Sequence, residues 1–297
     1  MSTDNAPAVR PIQRKPFESP TIDVMGGAAR LEIPVHEHGL VALVDVMPRL
    51  VPEGQTADSA IVQAARVSYG QGTKKVSEDR GLIRYLLRHR HTTPLEMIEF
   101  KFHVVMPIFI ARQWIRHRTA NVNEYSARYS VVPDRFYVPS MDNVRQQSMS
   151  NRQGGEQPVD AATAQEFLDY LERCHAQYVE YQKLLDKGVS RELARVGLPV
   201  NVYTEWYWKC DLHNTLHFLS LRMDSHAQQE IRAFACAMFE LIKPIVPVTC
   251  EAFVDYRLEA MQLTRLEIEA VRSGQPLATD NKREQAEWDE KKQRLGL

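Results

Sequence analysis

Hydrophobic positions along the chain change spacing several times, and each change marks an element. Residues 98–106 (IEFKFHVVM) alternate, which puts Ile98, Phe100, Phe102, Val104 and Met106 on one side of a half-buried strand. Residues 40–47, containing VALVDVM, and 200–208 read as further strands. Helical spacing predicts 57–67 and then 77–89 (SEDRGLIRYLLRH). In the latter Ser77 can cap, acids fill the first turn, and Leu82, Tyr85, Leu86 and His89 share a face. Pro107 suits the first position of a helix reading PIFIARQWIRHR. A long amphipathic helix over 163–187 carries Phe167, Leu168, Leu171, Tyr178 and Leu185 and is closed by Gly188. Helices at about 213–222, 225–243 and 249–262 follow.

Between these elements, the Pro- and Ser-rich stretch 1–37 reads as a poorly ordered arm, and 139–159 as a polar loop carrying Gly154 and Gly155. From Gly274 the chain is densely charged and reads as a solvated helix or tail. The expected organisation is an arm (1–37), one folded domain (38–270) and a charged tail (271–297). The fold class is α+β, a helix-rich single domain with a mixed or antiparallel sheet.

Composition narrows the possible functions. The 297 residues are 44% hydrophobic and 25% charged, a balance with ample material for a core. With 37 basic against 38 acidic side chains, no general basic excess points to nucleic acid, and an anionic ligand needs a local cluster. The four cysteines, Cys174, Cys210, Cys236 and Cys250, lack CxxC spacing and read as reduced thiols. No apolar run approaches the roughly 18–20 residues of a membrane span. No signal peptide is expected, and the cytoplasm is the default compartment.

The segment 112–130 (RQWIRHRTANVNEYSARYS) concentrates the chemistry. On a helix ending near Arg118, Arg112 and Arg116 would share a face and repel, unless an anion such as phosphate sits between them. The helix dipole alone also favours arginines in a last turn, so local physics leaves a phosphate site and a solvated helix end both open. The histidines, among them His89, His91, His103, His213, His217 and His226, lack zinc spacing. Gly70-Gln71-Gly72 lacks the third glycine of a dinucleotide fingerprint and reads as a turn. Trp206, Tyr207 and Trp208 read as strand and interface packing.

Arg116-His117-Arg118, then seven residues, then Ser126 resembles the signature of the flavin-dependent thymidylate synthases. Three flanking blocks are similar to family blocks as well: 91–96 (HTTPLE), 192–199 (ELARVGLP) and 221–228 (LRMDSHAQ). The likeness runs from about residue 40 to 262. It implies methylation of dUMP to dTMP, with FAD as cofactor and NADPH and methylenetetrahydrofolate as co-substrates. It also implies a homotetramer with active sites between subunits, with neither nucleic acid nor membrane as a partner.

Carried over position by position, the resemblance places Gln113, Arg116, Glu124, Ser126, Ala127, Arg128, Arg195 and Arg222 at dUMP. It places Thr93, Arg116, His117, Arg118, Glu124, Asp211, Leu212, His213 and His217 at FAD, though many members carry Asn where this chain has Asp211 and His217. Arg222 matches the catalytic position, where a guanidinium aimed at the pyrimidine stabilises developing negative charge. Ser126 invites a nucleophile reading, but no base is placed beside it, and it is expected only to hydrogen-bond the nucleotide. No metal is expected. The competing readings are a flavin-free nucleotide enzyme using the same arginines and a nucleic-acid module built on 84–91 and 112–118. Neutral net charge opposes the second, and the family blocks oppose both.

Overall fold

The computed structural model describes residues 14–16, 31–67, 79–148 and 154–297. Ser77 and the Gly70–Gly72 turn lie outside the described residues. Two compact units result, Met1–Phe253 and Val254–Leu297.

The first unit is built on strands β1 (Arg14–Pro16), β2 (Leu31–Val35), β3 (Gly39–Met47), β4 (Leu50–Pro52), β5 (Glu99–Pro107), β6 (Asn121–Glu124), β7 (Arg145–Gln147), β8 (Gly155–Pro158) and β9 (Tyr203–Asp211). Five of them form a fully antiparallel sheet in the order β2-β3-β5-β9-β6. The helices are α1 (Asp58–Val67), α2 (Asp79–Arg88), α3 (Ile108–Trp114), α4 (Ala161–Asp186), α5 (Arg191–Ala194), α6 (Leu212–Arg222), α7 (Gln229–Ile242) and α8 (Pro247–Phe253). The fold class expected from the sequence is the one observed.

The alternation in 98–106 does what it predicts: Phe100, Phe102, Val104 and Met106 are all fully buried. They meet Trp206 and Trp208 of β9 in register, and α6 and α7 pack onto the sheet. Trp114, at the end of α3, sits at the centre. It stacks on Phe218 with ring centroids 4.4 Å apart and meets Trp208 edge-on at 5.7 Å. Burying three large rings together supplies several kcal/mol by area alone, and it pins α3 and α6 side by side.

Several expectations need correction. The end of the proposed arm, Leu31–Val35, is a paired edge strand, with Leu31 and Val35 buried. Pro34 is tolerated there because an edge strand can lack one donor. The polar loop contains the hairpin β7–β8. The buried face of α2 is Ile83, Leu86 and Leu87, while Tyr85 and His89 are exposed. Strand β9 runs to Asp211, three residues beyond the expected end. The helix after Pro107 stops at Trp114, and α8 gives way to a π-helical turn at Val254–Leu258.

The second unit contains α9 (Arg265–Ser273) and α10 (Lys282–Leu295). The charged tail (271–297) therefore holds the end of α9 and all of α10, and its Leu277 and Trp288 form a small core with Ala270. A buried Glu267 carboxylate there accepts from Lys291 Nζ at 2.8 Å.

Candidate functional site

The backbone leaves α3 at Trp114 because the following residues are drawn to the sheet, where Asn121–Glu124 pair with β9. Arg112 and Arg116 therefore do not stack on one helix face. His117 N donates to the Trp114 carbonyl at 2.9 Å, and the Arg116–Thr119 turn is left facing α6. Asp211 starts α6 as its cap: its two oxygens accept from Asn214 N at 2.9 Å and Asn214 Nδ2 at 2.8 Å. Thus positioned, α6 carries His217 and, as its last residue, Arg222.

These pieces enclose a cleft of about 340 Å³ lined by Arg116, His117, Arg118, Thr119, Trp208, Cys210, Asn214, His217, Leu221 and Arg222. The structure thus brings together five of the residues singled out from the sequence. Its electrostatics are those of an anion receptor. Arg116 and Arg118 are exposed and have no hydrogen-bond or ion-pair partner among the described residues. Arg222 is half-buried and carries no carboxylate partner, and burial holds its pKa below the usual arginine value. Arg222 Nε donates to His117 Nε2 at 3.1 Å, and Nη2 to the Gln113 carbonyl at 3.4 Å. The alternative of an Arg222–Asp224 ion pair is not formed, because Asp224 engages His226 at 2.9 Å.

Burial, with the Arg222 and His217 charges, lowers the His117 pKa to about 4, so the ring is neutral near pH 7. Cys210 donates its thiol to the Thr119 carbonyl at 3.2 Å. Burial pushes that thiol up to about 12, which makes it wall rather than nucleophile. All four cysteines are free.

The other expected nucleotide contacts lie outside this cleft. Glu124, at the end of β6, accepts from Thr204 Oγ1 at 2.8 Å. Ser126, Ala127 and Arg128 form a turn in which Tyr129 N and Ser130 N both donate to the Ser126 carbonyl at 3.0 Å. Ser126 Oγ accepts only from Arg128 N, at 3.4 Å, and no base touches it among the described residues. Arg128 reaches Glu192 of α5 at 3.7 Å, and Arg195 follows in the next turn, so these residues gather around α5. Gln113 donates its side-chain amide to Gln228.

Thr93 is exposed on a 3-10 turn, His213 is half-buried, and Leu212 is fully buried with its N–H given to Ile98 O at 2.8 Å. Sequence reasoning did not single out Thr119, Trp208, Cys210, Asn214 or Leu221 as lining residues. The period of two in β9, which sends Trp208 and Cys210 to one face, was the available signal. Among the described residues no group of three or more His, Cys, Asp or Glu could hold a metal, and no helix is long and apolar enough to cross a membrane.

A family model described as thymidylate synthase complementing protein matches residues 49–248. A flavin-dependent thymidylate synthase of Dictyostelium discoideum is 69% identical over 273 residues, covering 92% of this chain and 90% of that one. This chain belongs to the flavin-dependent thymidylate synthase family. A family member from Gluconobacter oxydans is 51% identical, with 91% of this chain and 89% of that one covered. Among solved structures, a UMP/dUMP methylase PolB from Streptomyces cacaoi, bound with 5-Br dUMP, has a TM-score of 0.65 and 36% identity. It covers 76% of this chain and 99% of that one. As a flavin-dependent thymidylate synthase the chain is an enzyme of the methyltransferase class.

The cleft residues fit a flavin dinucleotide in charge. Two unpaired guanidiniums suit its phosphates, and the buried Trp208 Nε1, which has no hydrogen-bond partner among the described residues, leaves a spare donor in the wall. At about 340 Å³ the cleft is near the lower end of sites for drug-sized ligands, a size suited to part of such a cofactor.

Proposed function

We propose that this enzyme reductively methylates dUMP to dTMP, taking the carbon from methylenetetrahydrofolate and the hydride from FAD reduced by NADPH. The observation that carries this reading is the cleft in which Arg116, Arg118 and Arg222 gather without a carboxylate to neutralise them. Three guanidiniums lining one cleft call for anionic ligands, and a nucleotide phosphate and a flavin pyrophosphate supply them.

The flavin, when bound, supplies the hydride that completes the methyl group. The chain's own residues bind, orient and polarise. Arg116 and Arg118 hold phosphate charge. Arg222 presents N–H donors where electron density builds on the pyrimidine as its carbon attacks, which is electrostatic stabilisation of a developing anion. Ser126 and Arg128 hold the nucleotide by hydrogen bonds, with Gln113, Glu124, Ala127 and Arg195 completing its enclosure. Thr93, Asp211, Leu212, His213 and His217 complete the flavin surface. The buried Cys210 thiol plays no covalent part.

The nucleotide contacts fall into two groups, one at the cleft and one around α5. This supports assembly of the active site from more than one copy, a homotetramer in this reading. Exposed apolar side chains near the second group fit the same picture: Tyr129, Leu193 and Val196 are 73%, 68% and 77% exposed. Monomers in solution that turn over dUMP would contradict it. We place the enzyme in the cytoplasm, acting on small molecules rather than nucleic acid or membrane.

The test is a visible spectrum of the purified protein, followed by anaerobic NADPH with and without dUMP. An oxidised-flavin spectrum that bleaches with NADPH and responds to dUMP is expected, and a colourless protein that takes up no FAD would overturn the reading. The methylase from Streptomyces cacaoi was also solved with 5-Br UMP, which favours a second reading in which the ribonucleotide is a substrate too. Parallel turnover with UMP and dUMP decides between them.

A further inference from the structure

We propose that His117 is the positioning residue for Arg222, its neutral ring accepting a hydrogen bond that determines which edge of the guanidinium meets the nucleotide. The inference rests on the nucleotide site proposed above. Arg222 spends Nε on His117 Nε2 at 3.1 Å and one Nη2 hydrogen on the Gln113 carbonyl at 3.4 Å. Nε and Nη2 share one edge of the planar group, so both bonds occupy that edge. The opposite edge, Nη1 with the second Nη2 hydrogen, has no partner among the described residues. It is the edge free to face the cleft.

The acceptors holding Arg222 are both uncharged. A carboxylate in their place would have cancelled the positive charge that makes the residue useful, whereas an imidazole and a carbonyl orient it and leave the charge intact. To accept at Nε2, the His117 ring must carry its single proton on Nδ1. Its surroundings favour that neutral form. Phe218 meets it edge-on at 5.0 Å and His217 lies 6.0 Å away. Burial, then the neighbouring Arg222 and His217, lower its pKa to about 4. The Arg-His-Arg run then divides its labour. The outer arginines point outward without partners, and the central histidine turns inward to Arg222. The free edge offers two parallel N–H donors, matched to a planar ligand edge bearing two acceptors or an anionic charge.

The test compares His117→Phe, His117→Gln, Arg222→Ala and the His117→Phe/Arg222→Ala double variant, measuring kcat/KM for dUMP together with flavin absorbance per chain. Assayed with FAD in excess, so that any weakened flavin contact is saturated, His117→Phe should lose roughly 10- to 100-fold in kcat/KM, somewhat less than an outright loss of the donor. His117→Gln, whose side-chain oxygen reaches close to the Nε2 position, should recover most of that loss. The double variant should be no worse than Arg222→Ala, because both changes remove one shared interaction. Effects that multiply in the double variant overturn the proposal. So does a glutamine variant no better than phenylalanine, or turnover of the phenylalanine variant that returns fully once excess FAD is supplied. If the wild-type enzyme does not turn over dUMP, the functional reading fails separately, and the same comparison is made on dUMP affinity.

Discussion

Arg222 combines features that rarely occur together: half-burial, no counter-ion, and one edge tied to the protein. A cation in that state stabilises new negative charge more strongly than a solvated one would, since less water competes. Arg222→Ala should cost about 3 kcal/mol of transition-state stabilisation, roughly 100-fold in kcat/KM. Steady-state kinetics with dUMP check it, and near-wild-type turnover would remove Arg222 from the mechanism. His117 adds a pH signature to stability. With its pKa at about 4 in the folded chain against 6.5 for a free histidine, it is neutral in both states above 6.5. Between 6.5 and 4 the unfolded chain takes up a proton that the folded one refuses, so stability falls as pH falls through that window. Melting temperatures of wild type and His117→Phe should converge across it, the variant showing the flatter slope. Parallel slopes would mean that His117 is not held neutral by the fold.

Elements in this chain are tied to one another by side chains that cap at a distance. Asp58, at the start of α1, is buried and accepts from Val248 N at 2.9 Å, Thr249 N at 3.2 Å and Thr249 Oγ1 at 2.6 Å. It therefore caps α8 from 190 residues away in sequence. Asp58→Ala leaves two N–H groups and a hydroxyl buried without partners. It should destabilise the enzyme by about 3 kcal/mol, read as a lowered denaturant midpoint with an unchanged slope. A change of less than about 0.5 kcal/mol would show that water replaces the carboxylate. In the second unit, Thr264 and Glu267 form a reciprocal capping box at the start of α9. There Thr264→Ala should cost about 1 kcal/mol, visible as faster amide exchange in α9.

At the scale of the whole molecule, the two groups of proposed nucleotide contacts make a distinctive forecast. Arg222→Ala and Arg128→Ala should each be poorly active alone, yet regain activity when co-expressed. A mixed assembly contains some sites built from the intact half of each chain. Co-purified mixtures that stay as inactive as the separate variants would mean that each site is complete within one chain.

The Arg-His-Arg segment and the strand at 98–106 could be read from the sequence because each is a local property, while the role proposed for Arg222 came from the family resemblance. Side-chain chemistry is carried by the residue itself, and a period of two or 3.6 is carried by its neighbours. Strand β2 could not be read this way: Pro34 argues for disorder until β3 is available to pair with it. Nor could the end of α3, since PIFIARQWIRHR stays helical in pattern beyond Trp114, and only pairing of Asn121–Glu124 with β9 pulls the chain away. By itself the sequence determined which residues carry charge and which stretches can bury a face. Tertiary structure alone decided that His117 meets Arg222 across 105 positions, because no local period encodes a contact between residues so far apart.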